Sequence, residues 1–145
     1  MQGLSNLIRT ASNKLPFAKN EESPFIFDMV PAALSNVPFH KDTYAITRFF
    51  AEDFPFHIAV HEISPLLSPP AEYTQSHRHD DCAEINIILS RQVLVYRIQL
   101  GDRLYTVSSN SSIYIPQGVT HSANVLKGTG FFVTIRVPVV NQPGN

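Results

Sequence analysis

From Tyr44 to Val137 the chain is a train of short apolar runs, each closed by a turn signal. Residues within these runs alternate between apolar and polar, the period-two pattern that buries one face of a strand. A chain written this way folds as an antiparallel sandwich or barrel. The predicted strands are Ala45 to Phe50, Phe54 to Ile63, Thr74 to His79, Ala83 to Leu89, Gln92 to Leu100, Arg103 to Val107, Ser112 to Ile115, His121 to Leu126 and Gly130 to Val137. Leu100-Gly101-Asp102-Arg103 reads as a tight hairpin, because Gly101 takes positive φ without steric cost.

Ahead of this train lies an arm, residues 1–42, and behind it a short tail, 141–145, so the barrel is expected over 43–140. Leu4, Leu7, Ile8, Ala11 and Leu15 fall at steps of three and four, predicting one short helix that Pro16 stops. From Lys19 to Asp42 the arm is irregular, and its Phe25, Phe27, Val30, Leu34 and Phe39 need covering by the barrel or by a sister subunit. Because an antiparallel barrel this short exposes sheet edges and apolar outer faces, a homodimer is expected.

Composition removes several classes of function. With 43% hydrophobic and 16% charged residues the chain is neither disordered nor a coiled coil. Eleven Lys and Arg against twelve Asp and Glu leave a net charge of −1, without the basic surface that nucleic acid requires. No apolar run reaches the roughly 20 residues of a membrane span. The start MQGLSNLIRT lacks a secretory h-region, and one cysteine, Cys82, allows no disulfide framework, so a cytoplasmic protein is expected.

The chemistry concentrates in SHRHDDCAEINIIL, residues 76–89. His77 and His79 are two apart, so on an extended strand both imidazoles leave the same face and can share one ion. A turn at Asp80-Asp81-Cys82 returns Glu84 to that face. Thirty-seven residues after Glu84, IYIPQGVTHSAN places His121 just past a Pro-x-Gly turn. Three neutral imidazoles and a carboxylate suit a divalent transition metal such as Fe, Mn, Ni or Zn, with one or two positions left open.

These two segments resemble the paired motifs of the cupin superfamily. His77, His79 and Glu84 match the first motif's HxH and Glu; Pro116, Gly118 and His121 match the PxG and His of the second. Four turn positions depart from the pattern: Ala71 and Asn110 stand near or at the two opening glycines, Arg91 at a closing glycine, and Asn124 comes one residue early. The resemblance covers roughly residues 56–137. It implies an all-β, double-stranded β-helix or jelly-roll barrel behind a helical and irregular arm, with His77, His79, Glu84 and His121 as metal ligands near its mouth. It also implies a metal-dependent enzyme on a small oxygenated metabolite, of dioxygenase, lyase or isomerase type. The alternative is a non-catalytic binding module, since HRHDDCAEINII also looks like the sensing barrel of AraC-type regulators.

Strand parity sketches the rest of the pocket. Asn86 shares the face of Glu84 and is placed beside the ion as a substrate-binding group. His57 and His61 share one face of their strand, and either face could be inward; if theirs is, they become proton shuttles. Tyr114 is a third candidate for proton transfer. Arg136, set among FFVTI and VPVV, is the expected anchor for a substrate carboxylate, or else a partner for an acid of the arm.

Overall fold

The alternation read above does form strands in the computed structural model, which describes residues 23–140. Among these residues the strands are β1 (Val30–Ala32), β2 (Ile46–Phe50), β3 (Ile58–Leu66), β4 (Cys82–Leu89), β5 (Leu94–Leu100), β6 (Arg103–Ser108), β7 (Ser111–Ile115) and β8 (His121–Pro138), with one 3-10 turn at Leu34–Asn36. No helix among them is long and apolar enough to cross a membrane. The helix expected at Leu4 to Leu15 and the tail 141–145 lie outside the described residues.

All pairings are antiparallel. One sheet runs in the order β1-β2-β3-β8-β4-β7, while β6 and β5 extend from the first half of β8. Thus β8 belongs to both walls: His121 to Gly128 pair with β5, and Gly128 to Pro138 lie between β3 and β4. The result is the all-β jelly-roll expected from the sequence.

Three local readings are corrected. The break expected between Leu126 and Gly130 is a bend inside one continuous strand. Its two glycines, with φ of 100° and 149°, pass so close to the neighbouring backbone that a Cβ on Gly128 would lie 2.1 Å from the Val93 carbonyl oxygen. Thr74 to His79 is not a strand but an extended segment held by isolated bridges at Thr74 and His77. Within the arm read as irregular, Val30–Ala32 adds an edge strand to β2. Of the arm's apolar side chains, Leu34 enters the core, whereas Phe25, Val30 and Phe39 stay exposed. Gly101 has φ of 63° in the β5–β6 hairpin, as its position in the turn predicts.

Inward side chains change character along the barrel. At one end Ile46, Ile63, Ile88, Leu94, Tyr96, Ile98 and Val125 form the buried core, each contributing about 1.5–3 kcal/mol by leaving water. Toward the other end the rows turn polar. Arg48, His61, Phe132 and Ile88 stand across β2, β3, β8 and β4; the next row is Phe50, Ala59, Thr134 and Asn86. Beyond it Arg136 lies between Glu84 and His57, its amide donating to the His57 carbonyl at 3.0 Å. These rows enclose a narrow cavity that opens to solvent.

Candidate metal centre

Each candidate ligand reaches the cavity for a local reason. Glu84 opens the inward series Glu84, Asn86, Ile88 on β4, all buried. His121 begins β8 directly after the turn at Pro116 to Val119, where Gly118 takes φ of 80°. That turn is tied to the other motif: the Gly118 amide donates to the His79 carbonyl at 2.8 Å, and the Gln117 side chain donates to the carbonyl of Asp80. Asn124 anchors the segment upstream. Its Oδ1 accepts from the amides of Tyr73 and Thr74, both at 3.0 Å, and its Nδ2 donates to the Thr74 carbonyl at 3.1 Å.

The structure brings His77, His79 and His121 together, with one ring nitrogen from each lying within 4.8 Å of the others. Glu84 Oε2 is 3.1 Å from His79 Nε2 and 3.5 Å from His121 Nε2. His77 Nδ1 lies 2.7 Å from the Gln75 carbonyl oxygen and His121 Nδ1 2.9 Å from that of Val119. A carbonyl only accepts, so each Nδ1 carries the proton, and in the neutral rings Nε2 holds the free lone pair. Both His79 Nε2 and His121 Nε2 are buried without a hydrogen-bond partner of acceptable geometry. Burying such atoms unpaired is costly. A divalent cation would satisfy them, and the donor set fits one.

The protonation states of His77, His79 and Glu84 suit the same purpose. Burial, more than any neighbour, pulls His77 down to about 4 and lowers His79, so both are neutral near pH 7. Burial alone would raise the Glu84 carboxyl, but contacts with His121 and Asn86 outweigh it and hold the group at about 2. His121 runs the other way: burial opposes its charge, yet the adjoining Glu84 carboxylate raises its pKa overall.

Around this cluster the histidine face of β3 is the inward one. His57 and His61 both line the cavity, with burial as the main cause lowering them to about 4 and about 3. Asn86 Nδ2 donates to Glu84 Oε1 at 2.9 Å, so it orients the carboxylate. Arg136 also lines the cavity, and its Nε is buried without a hydrogen-bond partner. Tyr114 requires correction. The register pairs Glu84 with Ile115 and Asn86 with Ile113, which turns Tyr114 outward opposite Ile85 at 65% exposure. Its hydroxyl is away from the cavity.

Two lining residues were missed in the sequence. His40 comes from the arm, which pairs with the Thr74 segment, and its ring centroid is 5.5 Å from that of His77. Nothing in an irregular stretch marks it. Arg48 was detectable: it alternates with Ile46 and Phe50 on a buried parity, the same signal that singled out Arg136.

No protein-family model matches the chain, and no curated protein matches it significantly. Solved structures do. A predicted oxalate decarboxylase from Thermotoga maritima superposes with a TM-score of 0.53 at 14% identity, covering 78% of this chain and 94% of its own. KdgF from a Halomonas species gives 0.50 at 12% identity, over 74% and 93%. An RmlC-like cupin from Shewanella frigidimarina gives 0.48 at 8% identity, over 79% and 96%. At such identities the likeness is one of fold. The barrel described here has the fold of the cupin superfamily.

Proposed function

We propose that the protein is a metal-dependent enzyme acting on a small oxygenated metabolite. The observation that carries this reading is the pair of buried Nε2 atoms, of His79 and His121, left without hydrogen-bond partners beside Glu84 and His77. His77, His79, Glu84 and His121 would hold the ion. A divalent metal supplies Lewis acidity at a substrate oxygen, or activation of dioxygen. The chain's own residues provide the remainder. Asn86 steadies the carboxylate, Arg136 offers a guanidinium to substrate, and His57 and His61 line the cavity as neutral imidazoles within reach of a proton-transfer role. Dioxygenase, lyase and isomerase chemistry all fit this set of groups.

Elemental analysis of protein purified without added metal tests the reading. We expect one transition metal per chain, and its near-complete loss in His79→Ala with the fold retained. Stoichiometric metal in that folded variant would refute the ligand set. Iron in the native protein would move the reaction toward oxygen chemistry, while Zn, Ni or Mn would point to lyase or isomerase chemistry.

A further inference from the structure

The most unusual side chain in the barrel is Arg48. It is only 5% exposed, yet among the described residues no carboxylate pairs with it. Three acids of this side of the barrel are held by other groups: Asp42 by the amide and hydroxyl of Ser35, Glu72 by Arg97, and Glu84 by the Asn86 amide, with His79 Nε2 3.1 Å away. What Arg48 does touch is aromatic, its Cζ lying 4.5 Å from the centroid of Phe50. That stack has a direction. Phe50 is two residues farther along β2, toward the mouth, and its ring is 5.1 Å from that of His57. The guanidinium therefore lies against the next residue of its own strand face, and among the described residues no ion pair holds it.

Arg136 is the second cation in this cavity without a counter-ion, and its like charge, after burial, lowers the pKa of Arg48. Two guanidiniums face one carboxylate, Glu84, that is already occupied. A bound divalent metal would add to the positive excess. Between the two arginine rows stands the row of Phe50, Ala59, Thr134 and Asn86, of which Ala59 and Thr134 are small. The rows are about 13 Å apart at the backbone, four strand residues at about 3.3 Å each, and the fold-back of Arg48 over Phe50 shortens that span.

We propose that the cavity binds a small dicarboxylate, one acid group held near Arg136 and the candidate metal ligands and the other received by Arg48. Planar guanidinium edges match carboxylates in a bidentate fork, whereas the cavity offers no helix N-terminus to favour phosphate. This inference rests on the reading of the cavity as the substrate site. Keeping Arg48 buried and unpaired disfavours the free protein, and a bound anion removes that penalty.

The test uses the full chain as purified, with its metal content measured, and calorimetric titration of malonate, succinate and glutarate against acetate, propanoate and butanoate, with inorganic phosphate alongside. We expect at least one diacid to bind about tenfold to a hundredfold more tightly than any monoacid, the worth of a charged hydrogen-bonded contact. In Arg48→Gln that preference should vanish while metal content and monoacid binding persist. Arg48→Met should melt at a higher temperature than the parent without ligand, since an unpaired buried charge has been removed. Equal binding of mono- and diacids by the parent, a preference surviving in Arg48→Gln, phosphate matching the best diacid, or a lower melting temperature for Arg48→Met would each overturn the proposal. Absence of metal together with an intact, Arg48-dependent diacid preference would sink the metal reading and leave this one standing.

Discussion

His77 and His121 stand opposite each other across a single antiparallel bridge: the His77 amide donates to the His121 carbonyl at 3.0 Å, the His121 amide donates back at 2.7 Å, and the ring centroids are 4.5 Å apart. Two residues separated by 44 positions are thus fixed by backbone bonds before any ion binds. Preorganisation of this kind is what holds a ligand set open in the metal-free state.

That bridge depends on Asn124, which satisfies three backbone groups of Tyr73 and Thr74 just upstream of His77. Asn124→Ala should leave them buried and unpaired, at a cost of about 2–4 kcal/mol in stability. Metal affinity should weaken with it, because His77 loses its fixed approach. Urea unfolding and metal titration check the pair of effects, and a variant unchanged in both would show that Asn124 positions nothing.

Acid should destabilise the metal-free protein in a defined window. His57 and His77 titrate at about 4 and His61 at about 3 in the fold, against an ordinary value of 6.5 once unfolded. Between these values the unfolded chain binds more protons, so stability is full above about 6.5 and is lost as pH falls toward 4 and below. Each such proton is worth up to about 1.4 kcal/mol per pH unit. His121, with its raised pKa, opposes the trend by one group near neutrality. Urea midpoints measured from pH 7 to 4.5 should fall steadily, and His61→Phe should flatten the decline. A level profile would contradict the assigned protonation states.

If the protein turns over its ligand, His57→Gln should lower the rate by about a hundredfold or more while metal content stays unchanged, the usual size of a general acid or base contribution. Arg136→Gln should act mainly on KM if it anchors substrate uniformly. Mass spectrometry of the ligand before and after incubation is the readout. Ligand recovered unchanged, with and without oxygen, would favour the sensing module over the enzyme.

We also expect a homodimer. The outer face of the β8-β4-β7 sheet carries Ile85, Ile87, Tyr114, Val133 and Ile135, an apolar set that water covers poorly. Light scattering of the full chain and of one beginning at residue 21 should give twice the monomer mass for the first. Loss of the dimer on truncation would assign the arm to the interface, and a monomer in both would refute the pairing.

Alternation along a strand states which residues share a face, and spacing states which can converge. From these alone His77 and His79 could be placed on one side of an extended segment, Glu84 beside Asn86 and Ile88, and His121 behind a Pro-x-Gly turn. All of that is local, set by a period of two and by turn stereochemistry. A period of two, however, is symmetric: it cannot name the inward face. Only the pairing of β3 with β2 and β8 turned His57 and His61 into the cavity, and only the register of β7 on β4 turned Tyr114 out. Arg48 and His40 entered the site through long-range pairing of β2 and the arm; alternation with Ile46 and Phe50 marks Arg48 in the sequence, whereas no nearby residue marks His40. Burial and charge balance belong to that level too, because the neighbours that strip water from an arginine or withhold its counter-ion come from other strands.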